Sequence, residues 1–377
     1  LQTGAARVTS AVPLGVSAIF SVYDGSGRFQ TEAGVGTSAV ATDIVIPVDT
    51  TGNFNTGVAL FNPDNNNAEL SLQLIDQSGQ LTSRSSLSLG AGKHIARFIS
   101  GSGQLFPLVT NFRGTMSITS TIPVAAVTLR ENSVPLSYTS LPAVSRASGK
   151  AQISLPHVAN GTFSQGGFRT TFILFNMSAT AATAVMTLTR DDGSPLSVRL
   201  VGNPAAASVF QVTLAAGASA FLETDGSGPL TAGSATIQAT GGTIGATVIF
   251  TVVDLQGSFM TEAGVGDSAA LTEMTLPVDI GDVTDTGVAI FNPSGSSASL
   301  QLRLRDASGA TAGTTTLNLG SKNHTATFVS QLFAGKTNFR GSLAISSSGA
   351  AIAAVTLRQN TVPLTYTTLP VIAGIIR

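Results

Sequence analysis

The residues best suited to chemistry in this sequence are three carboxylates in one short stretch, Asp279, Asp282 and Asp285. Hard carboxylate oxygens in a loop between strands suit Ca²⁺. The corresponding stretch earlier in the chain, residues 49–55, contains a single carboxylate. A solvated acidic loop therefore competes with a calcium site, and the sequence favours the solvated loop. We predict no other metal site and no cofactor.

Six charged residues recur at matching places in two parts of the chain. They are Glu32 and Glu262, Arg130 and Arg358, and Arg113 and Arg340. A charge in an apolar strand needs a partner, because an unpaired buried charge is strongly destabilising. One interpretation is a structural Arg–Glu pair within a module or at a junction between modules. The other is a set of exposed edge charges that discourage strand aggregation, and the sequence leaves both open.

The three histidines do not form a recognisable catalytic or metal-binding set. His94 and His324 occupy the same turn of two repeats, and His157 stands by itself in a strand. A metal site needs several ligands that converge, so we interpret all three as structural or exposed. The chain has no cysteine, and no Gly-x-Ser-x-Gly turn joins a strand to a helix. We therefore name no catalytic residue and expect that the chain is not an enzyme.

Three Asn-x-Ser/Thr sequences make Asn160, Asn176 and Asn323 candidates for glycosylation. Such a sequence is an acceptor only where the exporting cell has the machinery. Covalently attached glycans are accordingly one predicted partner.

The composition excludes several classes of function. Only 10% of the residues are charged, and 19 basic against 20 acidic residues give a net charge of −1. No basic face is visible, as a nucleic-acid binder would need. No apolar stretch reaches the ~18 residues of a membrane span, so we expect neither nucleic acid nor membrane insertion. Few lysines and many Thr and Ser residues favour a secreted, extracellular or cell-surface protein.

The chain repeats itself over a long period. Thr31–Gly36 (TEAGVG) recurs as Thr261–Gly266, and Thr56–Pro63 (TGVALFNP) recurs as Thr286–Pro293, both 230 positions later. A weaker similarity relates Thr170–Asn176 to the TGVALFN segment. The long period therefore consists of two related modules, which we call first-type and second-type.

The repeat divides the chain into four segments. They are a partial first-type module over 1–38, a second-type module over 39–148, a complete first-type module over 149–267 and a second-type module over 268–377. Runs such as Leu70–Ile75 alternate apolar and polar residues, and Asp/Gly turns separate them. Seven to nine short strands in about 110 residues predict an all-β fold of tandem immunoglobulin-like β-sandwiches.

The paired motifs TGVALFNP, NFRG, AAVTLR and TTLPV resemble tandem Ig-like repeats of exported bacterial surface proteins, of the kind that build extracellular fibrils. The resemblance covers the whole chain. It implies export and modular stacking, and it implies no catalytic residue.

The first module is incomplete, since residues 1–38 match only the last third of the complete first-type module. A few strands alone would expose an apolar face and an unpaired edge. One explanation is truncation. The other is assembly, in which a neighbouring subunit completes the sheet by strand addition. The candidate assembly residues lie at the two ends of the chain: Leu1, Val371, Ile372, Ile375 and Ile376.

The sequence favours a structural subunit of an extracellular bacterial fibril or surface assembly, a homopolymer formed head to tail. A heterologous contact of that kind does not close and generates a filament. The alternatives are stalk or spacer repeats of a larger exported protein, and a ligand-binding adhesin.

Overall fold

The structure is a computed structural model that describes residues 3–374. Its regular structure is almost entirely β, which confirms the all-β prediction. Two single helical turns are also present, a 3₁₀ turn at Arg146–Ser148 and α1 at Val329–Leu332. Within the described part of the chain, no helix is long and apolar enough to cross a membrane.

The N-terminal segment contributes one antiparallel hairpin, β1 (Ser17–Tyr23) and β2 (Phe29–Gly36). Asp24 closes its turn, since its carboxylate accepts hydrogen bonds from the backbone N–H groups of Ser26 (2.9 Å) and Arg28 (3.0 Å). Asp side chains favour turns because they bond in this way to the backbone. Residues 3–16 form no strand.

Residues 39–148 form two packed sheets. In one, the order is β10-β3-β8-β5-β6, and in the other it is β7-β4-β8-β9. The long strand β8 runs through both sheets and joins them. The strands are β3 (Ala41–Asp49), β4 (Phe54–Phe61), β5 (Ala68–Asp76), β6 (Leu81–Leu89), β7 (His94–Phe98), β8 (Arg113–Ser133), β9 (Leu136–Leu141) and β10 (Val144–Ser145).

The complete first-type segment also has two sheets, β16-β13-β18-β11 and β17-β12-β19-β20. The short strands β14 and β15 pair with each other at one side. The strands are β11 (Gln152–Phe163), β12 (Gly166–Asn176), β13 (Ala182–Arg190), β14 (Val198–Arg199), β15 (Ala206–Ala207), β16 (Val209–Leu214), β17 (Ser219–Glu223), β18 (Thr231–Thr240), β19 (Ile244–Val253) and β20 (Phe259–Gly266).

The last segment repeats the arrangement of residues 39–148, with sheets β24-β23-β26-β21-β29 and β25-β22-β27-β28. The strands are β21 (Glu273–Ile280), β22 (Thr284–Phe291), β23 (Ala298–Asp306), β24 (Thr311–Leu319), β25 (His324–Phe328), β26 (Phe339–Gly349), β27 (Ala353–Thr361), β28 (Leu364–Leu369) and β29 (Ile372–Ala373). Here two strands, β26 and β27, take the place of β8.

Each large segment has its own core, because alternate residues along a strand point to the same face of the sheet. In β5, Leu70, Leu72 and Leu74 are buried, while the residues between them are not. A fourth apolar cluster joins residues 39–148 to the complete first-type segment. It contains Val45, Leu141, Ile173, Phe175, Met177 and Ile249. The segments are therefore packed side by side through apolar contacts.

Candidate functional site

The recurring charges meet in buried clusters that join different segments of the chain. Glu262 lies on β20, Arg130 on the second half of β8, and Asp49 at the end of β3. The Arg130 guanidinium donates through Nη1 to the carboxylate of Glu262, and through Nη2 to Oδ2 of Asp49 at 3.0 Å. Glu262 and Arg130 belong to different modules, so the ion pair holds two modules together.

Two further groups complete this first cluster. Nη2 of Arg113 donates to Oδ2 of Asp49 at 3.0 Å, so two arginines face two carboxylates. The Arg130 guanidinium also lies 3.4 Å from the centroid of the Phe54 ring, a cation–π contact. The cluster is neutral overall, as a buried group of charges must be.

Burial and neighbouring charges act on each group of the cluster. Burial alone would raise the pKa of Asp49, but the positive charges of Arg130 and Arg113 outweigh it and hold that pKa below its usual value. Burial would lower the pKa of Arg130, and the carboxylates of Glu262 and Asp49 instead raise it. Burial raises the pKa of Glu262 despite the pull of Arg130, and Asp49 adds to that rise.

The second cluster repeats the first with the modules exchanged. Glu32 of the N-terminal hairpin accepts a hydrogen bond from Nη1 of Arg358, in the last segment. Nε of Arg358 donates to Asp279 at 3.1 Å, and Nε of Arg340 lies 3.2 Å from the same carboxylate. The Arg340 side chain is 82% exposed, so this arginine stays largely in solvent.

Four strands meet between the two clusters, and their contacts are reciprocal. Each of β2 and β20 packs against both β9 and β28. The Gly264 N–H donates to Oγ1 of Thr139, and the Gly34 N–H donates to Oγ1 of Thr367. The two halves of the chain are therefore related by approximate two-fold symmetry. A pocket of about 610 Å³ lies there, lined by residues of these strands, of β8 and β27 and of the segments that follow the strands.

The TEAGVG motif is explained by this packing. A Cβ on Gly264 would overlap with the carbonyl oxygen of Ser140, and one on Gly34 would overlap with that of Thr368. Only glycine allows the backbones to approach so closely. The glutamate of the motif supplies the ion pair. The first glycine of the motif, Gly34 or Gly264, allows the close approach of the two backbones.

The histidines form a chain of contacts across another module boundary. Nδ1 of His157 lies 3.3 Å from Nε2 of His324, and Nδ1 of His324 lies 2.8 Å from the Asp191 carboxylate. Since a carboxylate only accepts, His324 donates through Nδ1. Burial, with a smaller effect from His324, lowers the pKa of His157 to about 3. Sequence reasoning interpreted His157 and His324 separately and did not bring them together.

The acidic triplet does not converge on a metal. The Asp279 carboxylate forms ion pairs with Arg340 and Arg358. The Asp285 carboxylate accepts hydrogen bonds from the Ser330 hydroxyl and the Thr286 N–H. Across residues 3–374, no group of three or more His, Asp or Glu side chains is placed to hold a metal ion. The two arginines neutralise Asp279, one of the three carboxylates that a cation would need.

Two of the three glycosylation candidates are buried in the folded chain. Nδ2 of Asn176 donates to the carbonyl oxygens of Thr180, Leu214 and Ala215 at 2.8–3.0 Å. Asn160 is 4% exposed, and its Nδ2 donates to the Ser227 carbonyl. A glycan on either amide nitrogen would displace these hydrogen bonds and is incompatible with the packing seen in the folded protein. Asn323 is half-buried in a turn.

Two other asparagines make the same side-chain hydrogen bonds as Asn176, and the sequence analysis did not identify them. Asn62 and Asn292, in the FNP part of the repeated motif, each donate to three carbonyl oxygens in the same way. The recurrence of Phe-Asn in three modules was the available signal. Asp49 was also missed as an ion-pair residue, although it recurs as Asp279 after Pro-Val.

The candidate assembly residues are described only in part. Ile372 lies on β29, which pairs with β21, and Val371 packs beside the core of the last segment. A Cβ on Gly15 would overlap with the Ile372 side chain, so the segment just before β1 lies against β29. Leu1, Ile375 and Ile376 lie outside the described residues.

Comparisons with known proteins give only weak structural similarities. No family model matches the chain, and no curated protein matches it. The crystal structure of Thermotoga maritima 1070 is 11% identical, covers 28% of this chain and 96% of its own, and has a TM-score of 0.25. A putative secreted protein from Parabacteroides distasonis is 12% identical over 62% of this chain and 92% of its own, with a TM-score of 0.14.

The dimeric latent PorU of Porphyromonas gingivalis is 11% identical over 97% of this chain and 32% of its own, with a TM-score of 0.15. Such low scores carry no argument about this chain. Its function is therefore argued from its own geometry.

Proposed function

We propose that this chain is a structural subunit of an extracellular bacterial fibril or surface assembly, built from Ig-like modules. In this proposal subunits join head to tail, and a neighbour completes the partial N-terminal module. The observation that carries the proposal is the state of the hairpin β1–β2. Its inner strand β2 is held by β9 and β28 of the same chain, whereas within residues 3–374 β1 pairs with β2 alone.

An open strand edge is a ready template for pairing with another chain. The edge of β1 is flanked by apolar residues in solvent, including Val8, Val12 and Ile19. The hairpin itself is fixed by the buried pair of Glu32 and Arg358. A fixed, exposed edge fits a subunit that presents a docking strand.

Negative-stain imaging of native material, together with light scattering across a concentration series, tests this function. We expect filaments that disappear in Ile19→Lys, because a charge on β1 opposes burial of that strand. Leu255→Lys is the control, since Leu255 is exposed in a turn and lies away from the edge. Single particles at every concentration, or filaments unaffected by Ile19→Lys, would contradict the proposal.

One observation favours the alternative of repeats within a larger exported protein. The segment before β1 lies against β29 at Gly15 and Ile372, so two repeats are in contact there, as they would be in a longer array. Beaded rods of fixed length in the same images would support this alternative and exclude the polymer.

A further inference from the structure

The complete first-type segment and the last segment are joined by an interface around β11. β11 packs against β22 and β27, and β18 packs against β25. Ala289 of β22 and Val355 of β27 are buried with the apolar core of the first-type segment. The Ser268 N–H donates to the Ser154 carbonyl across the same boundary at 3.0 Å. Apolar packing therefore holds the two segments together, and hydrogen bonds of the backbone cross between them.

Two turns also meet at this interface, one from each segment. The His324 N–H, at the start of β25, donates to the carbonyl oxygen of Asp191, in the turn after β13, at 3.0 Å. A Cβ on Gly193 would lie 2.9 Å from the Ser321 carbonyl oxygen, which is too close for a side chain. The glycine therefore allows one turn to lie directly on the other, and the backbone of His324 is fixed at the boundary.

Two imidazole rings face each other beside these turns. Nδ1 of His157, on β11, lies 3.3 Å from Nε2 of His324, and the two ring planes are inclined by only 24°. His324 is 3% exposed, and the other neighbour of His157 is the Phe250 ring, with its centroid 5.0 Å away. The pair thus spans the boundary, with one ring from each segment.

The geometry limits the number of protons that the pair can hold. Nδ1 of His324 lies 2.8 Å from the Asp191 carboxylate, so that nitrogen carries a proton. Only one proton fits between the facing nitrogens, because two N–H groups would point at each other. Asp191 can compensate a positive charge on His324. A second positive charge, on His157, would stand against the first one and beside an apolar ring.

Asp191 is the carboxylate in contact with the pair. The other charged residues on the strands and turns around it are Lys150, Arg169, Arg190, Asp192, Asp267, Asp285, Lys322 and Arg358. Each of them bonds to a group other than the two imidazoles. The second positive charge would therefore have no carboxylate of its own.

We propose that this interface is an acid-sensitive joint, in which protonation of both histidines separates β11 from β22 and β25 while each segment stays folded. The two segments have separate apolar cores that can persist when the joint opens. In the opened joint each imidazole titrates on its own. The opened state therefore binds one proton more than the closed state, and acid favours it.

The pKa of His157 gives the pH range of this effect. Burial, with a smaller effect from His324, lowers this pKa to about 3 in the closed joint, whereas an imidazole in water has a pKa of about 6.5. Between these values the opened state binds more protons, so opening is favoured as the pH falls. The equilibrium constant for opening should rise by up to about tenfold per pH unit, or about 90-fold from pH 7.5 to pH 4.5.

The other boundary of the first-type segment provides an internal control. It is joined to residues 39–148 by the apolar cluster that contains Val45 and Phe175, and this cluster includes no histidine. The Ser219 N–H donates to the Gln77 carbonyl across that boundary at 3.2 Å. Acid should therefore open the joint at His157 and leave the bond of Ser219 in place.

Hydrogen exchange followed by NMR at pH 7.5 and pH 4.5 tests the joint through the amides that cross each boundary. After correction for the intrinsic exchange rate, the protection of the His324 and Ser268 amides should fall by up to about 90-fold at the lower pH. The protection of the Ser219 amide should change little. Unchanged protection at His324 and Ser268, or an equal fall at all three amides, would overturn the proposal.

His157→Phe should abolish the fall in protection, because a phenyl ring of similar shape does not titrate. His94→Phe is the matched control, since His94 pairs with Phe61 as His324 pairs with Phe291. This variant should respond to acid like the unmodified chain. The same response in His157→Phe as in the unmodified chain would overturn the role of the pair.

Asp191→Asn provides a measurement that does not depend on folding of the His157 variant. The Asp191 side chain is 64% exposed, so the substitution leaves the packing intact. Without the carboxylate, neither imidazolium is compensated in the closed joint. We expect protection of the Ser268 amide to fall more steeply with pH than in the unmodified chain. An unchanged or shallower pH dependence would contradict the proposed proton count.

Discussion

At the scale of single residues, the buried charges are set apart from those on the surface by their partners. Arg130 faces Glu262 and Asp49 and is 6% exposed. Removing one member of a buried ion pair leaves the other charges without compensation, which costs about 3–5 kcal/mol. An exposed pair contributes about 0–1 kcal/mol.

We therefore expect Arg130→Met to lower the free energy of unfolding by about 3–5 kcal/mol. Arg340→Met provides a control, because Arg340 is the equivalent of Arg113, is mostly in solvent, and its loss should change stability by less than about 1 kcal/mol. Urea unfolding followed by circular dichroism measures both variants. Equal losses in the two variants would show that the buried cluster is not a stabilising contact.

His157 should make the stability of the protein depend on pH. Its folded pKa of about 3 lies below the unfolded value of about 6.5, so the unfolded state binds more protons between these values. Stability should therefore fall as pH drops through this window, by up to ~1.4 kcal/mol per pH unit. The neighbouring titratable groups are His324, which lies against His157, and Asp191, which bonds to the other side of His324.

Unfolding of the unmodified chain and of His157→Phe at pH 4 to 7 measures this contribution. The phenyl ring keeps the contact with Phe250, whose ring centroid lies 5.0 Å from that of His157, but it does not titrate. We expect a smaller pH slope in the variant. Identical slopes would mean that His157 is not held neutral.

At the scale of strands, the TEAGVG motif combines an ion pair with close contact of backbones. Gly264 and Gly266 lie on the same strand, but they meet their neighbours differently. A Cβ on Gly264 would overlap with the Ser140 carbonyl, whereas one on Gly266 would lie 3.7 Å from Pro142, an ordinary contact.

Gly264→Ala should therefore destabilise the protein by about 1–3 kcal/mol, because it forces β20 away from β9. Gly266→Ala should be tolerated. Thermal unfolding by differential scanning calorimetry distinguishes the two variants. If both melt like the unmodified chain, β20 and β9 do not pack as closely as the structure shows.

At the scale of the whole molecule, the N-terminal hairpin stabilises the segment farthest from it in sequence. Glu32 contacts Arg358, and the Gly34 N–H bonds to Thr367. These contacts join the hairpin to β27 and β28, so a change in the hairpin should alter the local stability of the last segment.

Glu32→Gln should speed hydrogen exchange in β27 and β28, since Arg358 loses one of its two carboxylates. Arg28→Gln is the matched control, because Arg28 is exposed in the hairpin turn and pairs with Asp24 of the same turn. Mass spectrometry of peptic peptides covers both regions. Unchanged exchange over 353–369 in Glu32→Gln would rule out this long-range contact.

The sequence by itself determined the all-β fold, because the alternation of apolar residues and the Asp/Gly turns are local properties of the strands. It also identified which charges recur, since alignment of the two repeats matches Glu32 with Glu262 and Arg130 with Arg358. It left open whether these charges pair or lie on exposed edges. Asn176 illustrates the limit, because its sequon is read from three residues, whereas its burial depends on carbonyls at 180, 214 and 215.

Only the tertiary structure decided which glutamate meets which arginine. Equivalent residues in two repeats are indistinguishable in sequence, so pairing within a repeat and pairing between repeats satisfy the same pattern. The structure pairs Glu32 with Arg358 and Glu262 with Arg130, although β2 and β20 each pack against both β9 and β28. That choice is made by contacts between segments hundreds of residues apart, and it leaves β1 at the open edge.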